Sequence, residues 1–433
     1  MTKLTIGIDG YNLAMPRGTG VATYGFALAR SVTELGHETI GVFGIDVGDR
    51  AATRELMFFD RFGKDRPAET HRRPKRRRRV QWLRSFVPAH ALEVPLTSAV
   101  EKQALADKLP AFDRIVSAPD LFEIAEQRLR TFGTFQTLRV ADPPDIMHWT
   151  YPVPVRLEGA KNVYTLHDLV PLKLPYTTLD AKGAYRRLIE LCLAQGDHIC
   201  TVSEASRRDI LELFPATPAE KITNSYQTAP IPQALLDRDP GEDAHVVAGM
   251  FGLVRGGYFL FFGALDPKKN LPRLVEAYLI SRVQTPLVIV GARNWNTEDE
   301  NRLFGDGAWR GAANIIRLDY QPRELLLRLA RGAKAVLFPS LYEGFGLPAA
   351  EAVRLGTPVI ASNSSSLPEV VGGAGLMVDP YDTEAIAAAI RAIDGDPTLS
   401  ARLSAAAPAQ SAKFSDERYR ERLAAMYERV MRS

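Results

Sequence analysis

Pro339-Ser340-Leu341-Tyr342-Glu343-Gly344-Phe345-Gly346-Leu347-Pro348-Ala349-Ala350-Glu351-Ala352 is the stretch on which the reading of this chain turns. It follows Ala335–Phe338, an apolar run that reads as a strand, and it runs into a helix. Pro348 suits the first helical turn, where its missing N–H costs nothing and its fixed φ helps. The helix is expected to reach about Leu355 and to stop at Gly356. Gly344 and Gly346 let the backbone come close to a ligand. Amides exposed at this turn, with a helix dipole behind them, favour phosphate oxygens. Two carboxylates, Glu343 and Glu351, bracket the turn. An acid in a first helical turn is stabilising without any ligand, so Glu351 alone has a purely structural account. Glu343, the two glycines and the strand before them turn the combination toward a binding site.

Upstream, Phe262-Gly263-Ala264-Leu265-Asp266-Pro267-Lys268-Lys269-Asn270-Leu271 repeats the strand-to-helix pattern. Two lysines at such a turn can neutralise a diphosphate whose charge rises as a bond to it breaks. Further strands are expected at residues 4–8, 162–166, 198–202, 258–262, 287–290 and 359–361, with helical patterns between many of them. That alternation predicts an α/β protein with parallel sheets wrapped by helices. Pro230, Pro232, Pro240, Gly252, Gly256 and Gly257 punctuate a break. The expected division is a first domain over 1–229, a linker over 230–257, a second domain over 258–415, and a last helix over 416–433 that crosses back to the first domain. Two such halves would face one another across a cleft at the carboxyl ends of their strands.

With 433 residues, 46% hydrophobic, 24% charged and a net charge of +3, the chain has the composition of a two-domain globular protein and no global polyanion-binding character. Cys192 and Cys200 are too few for a disulfide framework and read as buried thiols of a reducing compartment. The start lacks a secretory signal pattern, and no apolar run is long enough to span a bilayer. The expected location is cytoplasmic, with peripheral attachment to the inner face of the membrane. That attachment rests on a basic insertion near 66–110. Every residue from Arg72 to Arg79 except Pro74 is basic, and Val80-Gln81-Trp82-Leu83-Arg84-Ser85-Phe86-Val87 follows. Three readings stand: a solvated face, an anionic membrane surface met through Arg72–Trp82, or nucleic acid.

The chain resembles the retaining glycosyltransferases of family 4, which have the GT-B fold of two Rossmann-like domains. The resemblance spans nearly the whole chain outside the basic insertion. It is strongest in the Glu343-to-Glu351 motif and continues through Gly356-Thr357-Pro358-Val359-Ile360 and Leu367-Pro368-Glu369-Val370. It implies that Lys269, with Lys268 beside it, binds the donor diphosphate. It places Glu351 on the nucleoside ribose, Glu343 beside the donor sugar, and Gly344, Phe345, Gly346 and Leu347 near sugar and phosphates. Ile316–Tyr320 resembles the segment that meets the nucleobase, which puts Tyr320 in the donor site. In the first half Gly18-Thr19-Gly20 resembles the glycine loop near the donor phosphates. Tyr164-Thr165-Leu166-His167-Asp168 resembles the strand-end histidine motif, so His167 would contact the donor sugar or position the acceptor. His148 is a second, weaker match. Thr223-Asn224-Ser225-Tyr226 departs from the family by lacking an Asn-Gly pair.

The resemblance favours front-face substitution, with Glu343, His167 and Lys269 as the reacting-site residues. The partners it implies are a nucleoside-diphosphate sugar, GDP-mannose first, and a glycan or lipid-linked acceptor of surface polysaccharide synthesis. No cofactor, metal or nucleic acid is expected. Asp394-Gly395-Asp396 reads as a helix-ending turn rather than a metal-binding Asp-x-Asp. The alternatives are a UDP- or ADP-sugar transferase with a soluble acceptor, and a non-catalytic nucleic-acid-binding protein.

Overall fold

The computed structural model describes residues 3–15, 20–64, 75–97, 100, 108–179, 181–264, 266–291 and 314–432; the side chains of 75–78 are outside that set. Gly18, Arg72, Arg73 and much of the 66–110 segment therefore lie outside the described residues. The chain divides into two compact units. Unit 1 holds Met1–Leu169, Asp180–Thr228 and Asp416–Ser433, and unit 2 holds Val170–Leu179 and Ala229–Ser415.

Unit 1 is built on a sheet in the order Ile222–Asn224, His198–Thr201, Lys161–Leu166, Ile146–Trp149, Thr5–Asp9, Glu38–Phe43, Arg114–Ser117, Leu92–Val94. All neighbours are parallel except the last pair, where Leu92 lies opposite Ser117 in an antiparallel edge. Thr5–Asp9 and Ile146–Trp149 are almost wholly buried, which suits parallel strands covered on both faces. A smaller parallel sheet joins Ala89–His90, Gln136–Arg139 and Val155–Leu157. The last helix, Asp416–Arg432, buries Tyr419, Leu423 and Tyr427 in this unit. Asp416 meets Arg30 at 2.9 Å and accepts the Thr228 hydroxyl.

Unit 2 is a sheet of parallel strands in the order Ile315–Leu318, Leu287–Val290, Phe259–Phe262, Ala335–Phe338, Val359–Ser362, Gly375–Val378. Alternate residues of one strand point to opposite faces. Leu260 and Phe262 enter one apolar layer with Val336 and Phe338, and Phe259 and Phe261 enter the other with Leu337 and Ile360. Because all the strands run the same way, the loops after them gather at one edge.

The 230–257 segment differs from the linker read in the sequence. It carries the helices Gln233–Leu236 and Pro240–Phe251 and belongs to unit 2. Its proline and glycine are helix punctuation: Pro240 occupies the first turn, and Gly252 closes the helix at φ +68°. Val247 and Leu253 enter the core, and buried Asp243 takes Arg331 at 2.9 Å.

Candidate active site

The loop after Phe259–Phe262 makes a short 3-10 turn at Pro267–Lys269 and passes through Asn270, at φ +59°, into the helix Leu271–Ser281. Asparagine tolerates this left-handed conformation better than most residues. Its side-chain amide donates to the carbonyls of Pro339, at 3.1 Å, and Pro380, at 2.7 Å. Three strand ends are thereby tied together. Lys268 is half-buried and its carbonyl accepts the Leu341 amide at 2.8 Å. These ties aim Lys269 inward: its ammonium donates to Glu343 Oε1 at 2.6 Å and lies 4.7 Å from the centroid of the Phe338 ring. The two residues are only 8% and 5% exposed. An ammonium has three donors, so the bond to Glu343 leaves capacity for an anion.

Glu343 is held through its backbone as well. Its amide donates to Ser365 Oγ at 2.9 Å, and Ser366 Oγ donates to its carbonyl at 3.0 Å. Ser364 Oγ donates to the Leu341 carbonyl at 3.1 Å. Three residues onward, Gly346 precedes the helix Leu347–Arg354 at φ +90°. A Cβ there would stand 2.6 Å from Leu367 Cδ2, so glycine is required by both backbone and space. Gly344 is buried, and Phe345 packs edge-on against Phe414 at 5.3 Å.

Glu351 lies in the same helix and is 3% exposed. Burial pushes its carboxyl above the usual range, and the Arg323 guanidinium works against that shift. Arg323 donates to Glu351 Oε1 at 2.7 Å and to the Pro230 carbonyl at 2.8 Å. Tyr320 is 73% exposed, in the turn between the strand Ile315–Leu318 and the helix Arg323–Gly332. Unit 2 therefore places Lys268, Lys269, Tyr320, Gly344, Phe345, Gly346, Leu347, Glu343 and Glu351 on strand-end loops of one sheet edge or the helix following them. Within that set, Lys269 and Glu343 are joined directly.

Gly20 and His167 lie in unit 1; Gly20 opens the helix Gly20–Glu34 and is exposed. His167 follows the strand Lys161–Leu166, is half-buried, and its Nε2 lies 2.8 Å from the Thr150 carbonyl. A carbonyl only accepts, so Nε2 carries the proton of that bond. His148 has a different place. It is fully buried between Tyr427 Oη at 2.8 Å and Thr165 Oγ1 at 2.8 Å, and burial lowers it to about 3. It is a neutral ring that ties a central strand to the last helix.

The family description "Glycosyl transferases group 1" matches residues 255–410, the span that holds the Lys269, Glu343 and Glu351 loops. The chain is 36% identical over 270 residues to "O-antigen chain mannosyltransferase B" of Escherichia coli, covering 61% of this chain and 69% of that protein. The chain belongs to the group 1 glycosyltransferases. This family, GT4, consists of retaining hexosyltransferases that use nucleotide-sugar donors. The chain is also 28% identical over 274 residues to "Serotype-specific mannosyltransferase WbdA" of Escherichia coli, covering 62% of this chain but only 33% of that protein. Among solved structures, it superposes on Anabaena HepE in complex with UDP and glucose with a TM-score of 0.65 and 15% identity, covering 98% and 99% of the two chains. WaaG, a glycosyltransferase involved in lipopolysaccharide biosynthesis, gives 0.62 and 15%, covering 97% and 99%. These neighbours have the GT-B fold, and this glycosyltransferase has it too.

Sequence reasoning missed Arg323, Asn270 and Ser364–Ser366. Asn270 was visible as the residue between a lysine turn and a helix, but serines and a lone arginine carry no local signature. Asp394-Gly395-Asp396 has structural partners: Asp394 takes Lys334 at 2.6 Å, and Asp396 caps the helix Pro397–Ser411 through the Leu399 amide. Among the described residues no group of three or more His, Cys, Asp or Glu is placed to hold a metal ion, and GT-B enzymes are generally metal-independent.

Proposed function

We propose that this enzyme transfers a mannosyl residue from GDP-mannose, with retention, to a glycan or lipid-linked glycan in surface polysaccharide synthesis. The observation that carries the reading is the 36% identity to an O-antigen chain mannosyltransferase over 69% of that protein. The unit 2 site supports a nucleotide-sugar donor: Glu351 takes the ribose hydroxyls, Glu343 and the Gly344–Leu347 turn take the sugar, and Lys268 and Lys269 take the diphosphate. In unit 1, His167 contacts the transferring sugar or positions its acceptor. In the step, the bond from C1 to the diphosphate oxygen breaks and the electron pair leaves with the phosphate. The acceptor oxygen bonds to C1 on the same face, and its proton passes to the departing diphosphate. Lys269 stabilises the charge that grows on the leaving group. Glu343 orients the sugar and fixes the lysine, and is not required as a nucleophile.

A panel of nucleotide sugars read by thermal shift tests the donor. GDP-mannose is expected to raise the melting temperature more than UDP-glucose, UDP-N-acetylglucosamine or ADP-glucose, in excess chelator. A larger shift with a UDP-sugar would replace the donor. The second reading, a UDP- or ADP-sugar transferase with a soluble acceptor, draws its support from the 32% identity over 301 residues to a D-inositol 3-phosphate glycosyltransferase of Thermobispora bispora.

The acceptor reading includes a lipid surface. The helix Lys75–Arg84 and the turn after it are inverted with respect to a packed helix: Gln81 and Ser85 are buried, while Val80, Trp82, Leu83, Phe86 and Val87 are exposed. Trp82, Phe86 and Phe132 form a row of edge-on rings at 4.7 and 4.9 Å. Exposed apolar and aromatic groups beside a cationic run suit an anionic bilayer, where each basic residue contributes about 1 kcal/mol. Among the described residues no helix is long and apolar enough to cross a membrane. Flotation with vesicles of phosphatidylglycerol and phosphatidylcholine is expected to carry the protein upward, and replacing Arg76–Arg79 by serine to abolish that. Failure of the unaltered protein to float would remove the lipid surface from the reading.

A further inference from the structure

Asp9 ends the central strand of the unit 1 sheet and is fully buried. Its Oδ1 accepts the Tyr11 amide at 3.1 Å, and its Oδ2 accepts the Thr150 amide. These amides belong to two different strand-end loops, after Thr5–Asp9 and after Ile146–Trp149. The carbonyl of the same Thr150 is the acceptor for His167 Nε2 at 2.8 Å. The His167 ring also packs perpendicular to the Tyr24 ring, at 4.9 Å and 87°, and the His167 carbonyl accepts Ser206 Oγ at 2.6 Å. The Tyr11 and Tyr151 rings, on the same two loops, stack with centroids 6.4 Å apart. One carboxylate thus sets two loops and, through one peptide carbonyl, the proton-bearing nitrogen of His167.

Burying a carboxylate is costly unless it is hydrogen-bonded, and here burial raises its pKa to about 6. A carboxylate has an acceptor for each of two amides, whereas an asparagine would turn an NH2 group toward one of them.

We propose that Asp9 is a positioning residue for sugar transfer: it clamps Thr150 so that the Thr150 carbonyl holds the His167 imidazole in its Nε2–H form and in working orientation. The inference rests on the reading of His167 as a substrate-contacting residue. Asp9 touches no substrate; it acts through the Thr150 peptide.

Two measurements test it. The first is a double-mutant cycle of Asp9→Asn with His167→Ala, read as GDP-mannose-dependent transfer to octyl α-mannoside alongside nucleotide affinity. Asp9→Asn is expected to lower transfer at least ~10-fold by misplacing the imidazole and to leave nucleotide affinity unchanged. In the His167→Ala background it should add little, because the route through which it acts is gone. An Asp9→Asn loss that is equally large with and without His167 would make Asp9 merely structural and overturn the proposal. Transfer unchanged by His167→Ala would instead overturn the reading of His167. The second measurement needs no donor or acceptor. Nitrogen NMR of histidine-labelled protein, with His167→Gln for assignment, is expected to show one Nε2–H tautomer at His167 in the unaltered protein and a mixture in Asp9→Asn. An unchanged His167 signal in a folded Asp9→Asn protein would overturn the clamp.

Discussion

Replacing Lys269 by alanine is expected to slow sugar transfer by roughly 10²-fold or more, the usual consequence of deleting a donor aimed at developing charge. The ammonium has little room to be replaced by water: it is nearly buried, lies over Phe338 and is bonded to Glu343 at 2.6 Å. Its loss has a second consequence, because it strands a carboxylate that is 5% exposed. Breaking one side of a buried pair costs about 3–5 kcal/mol, so a slow Lys269→Ala enzyme could also be a destabilised one. The two effects separate in Lys269→Ala combined with Glu343→Gln. Neutralising Glu343 removes the stranded charge and should return most of the melting temperature. Transfer should stay low, since no cation faces the departing diphosphate. If turnover returned with stability, Lys269 would serve only to neutralise Glu343, and the leaving-group role would be lost. Lys269→Arg is a sharper case. It keeps the charge, but a planar fork does not substitute for a point charge in a tight site, so partial activity is expected.

Seven strands were legible because they are buried on both faces and read as apolar runs: Thr5–Asp9, Lys161–Leu166 and His198–Thr201 in unit 1, and Phe259–Phe262, Leu287–Val290, Ala335–Phe338 and Val359–Ser362 in unit 2, all lie within or beside the expected ranges. Glu38–Phe43, Arg114–Ser117, Ile146–Trp149, Ile315–Leu318 and Gly375–Val378 were not among the expected strands, and other elements are short or non-local. Ala89–His90 and Val155–Leu157 are too brief to show a period. Val170–Leu179 sits among residues of unit 1 in sequence yet belongs to unit 2, where the Tyr176 hydroxyl meets that of Tyr381 at 3.2 Å. No local pattern encodes such a partner, 205 residues away. The same limit applies to 230–257, where prolines and glycines bound helices that no local pattern assigns to unit 2.

In the site, the residue types that must lie on a loop could be found, and the residues that hold them could not. Glu343 and Lys269 stand out by motif; Ser365 and Ser366, which brace Glu343, and Ser364, which braces Leu341, come from the next strand end. The two histidines show the same divide. His148 and His167 each lie at or just after a strand, and only burial separates them: one is sealed between Tyr427 and Thr165, the other is half-buried with its Nε2 on Thr150. The missing Asn-Gly pair also resolves locally. Tyr226 takes a left-handed conformation at φ +55° in that turn, with its amide on Asn224 Oδ1 at 2.8 Å and Arg422 over its ring at 4.8 Å.

Replacing Glu351 by alanine is expected to weaken donor affinity by roughly 10- to 100-fold, the worth of one charge-assisted hydrogen bond at about 1.5–3 kcal/mol. The maximal rate should change far less, because the ribose lies away from the bond that breaks and its contacts are equal in ground and transition states. Fold loss is not expected to dominate: the partner left behind, Arg323, has a side chain 44% exposed that water can serve. The converse substitution behaves differently. Arg323→Ala leaves Glu351 buried without its cation, so burial alone sets the carboxyl and raises it further. The group then protonates at higher pH than in the unaltered enzyme, and donor affinity should fall as pH is lowered over a range where the unaltered enzyme still binds. Arg323→Lys should restore much of the pH profile by returning a charge. Isothermal titration with the nucleotide sugar selected by the donor panel, at several pH values, reads all three variants. Unchanged affinity in Glu351→Ala would remove the ribose role. A flat pH profile in Arg323→Ala would mean that Glu351 is charged by something other than the arginine, and that the pair serves the helix rather than the donor.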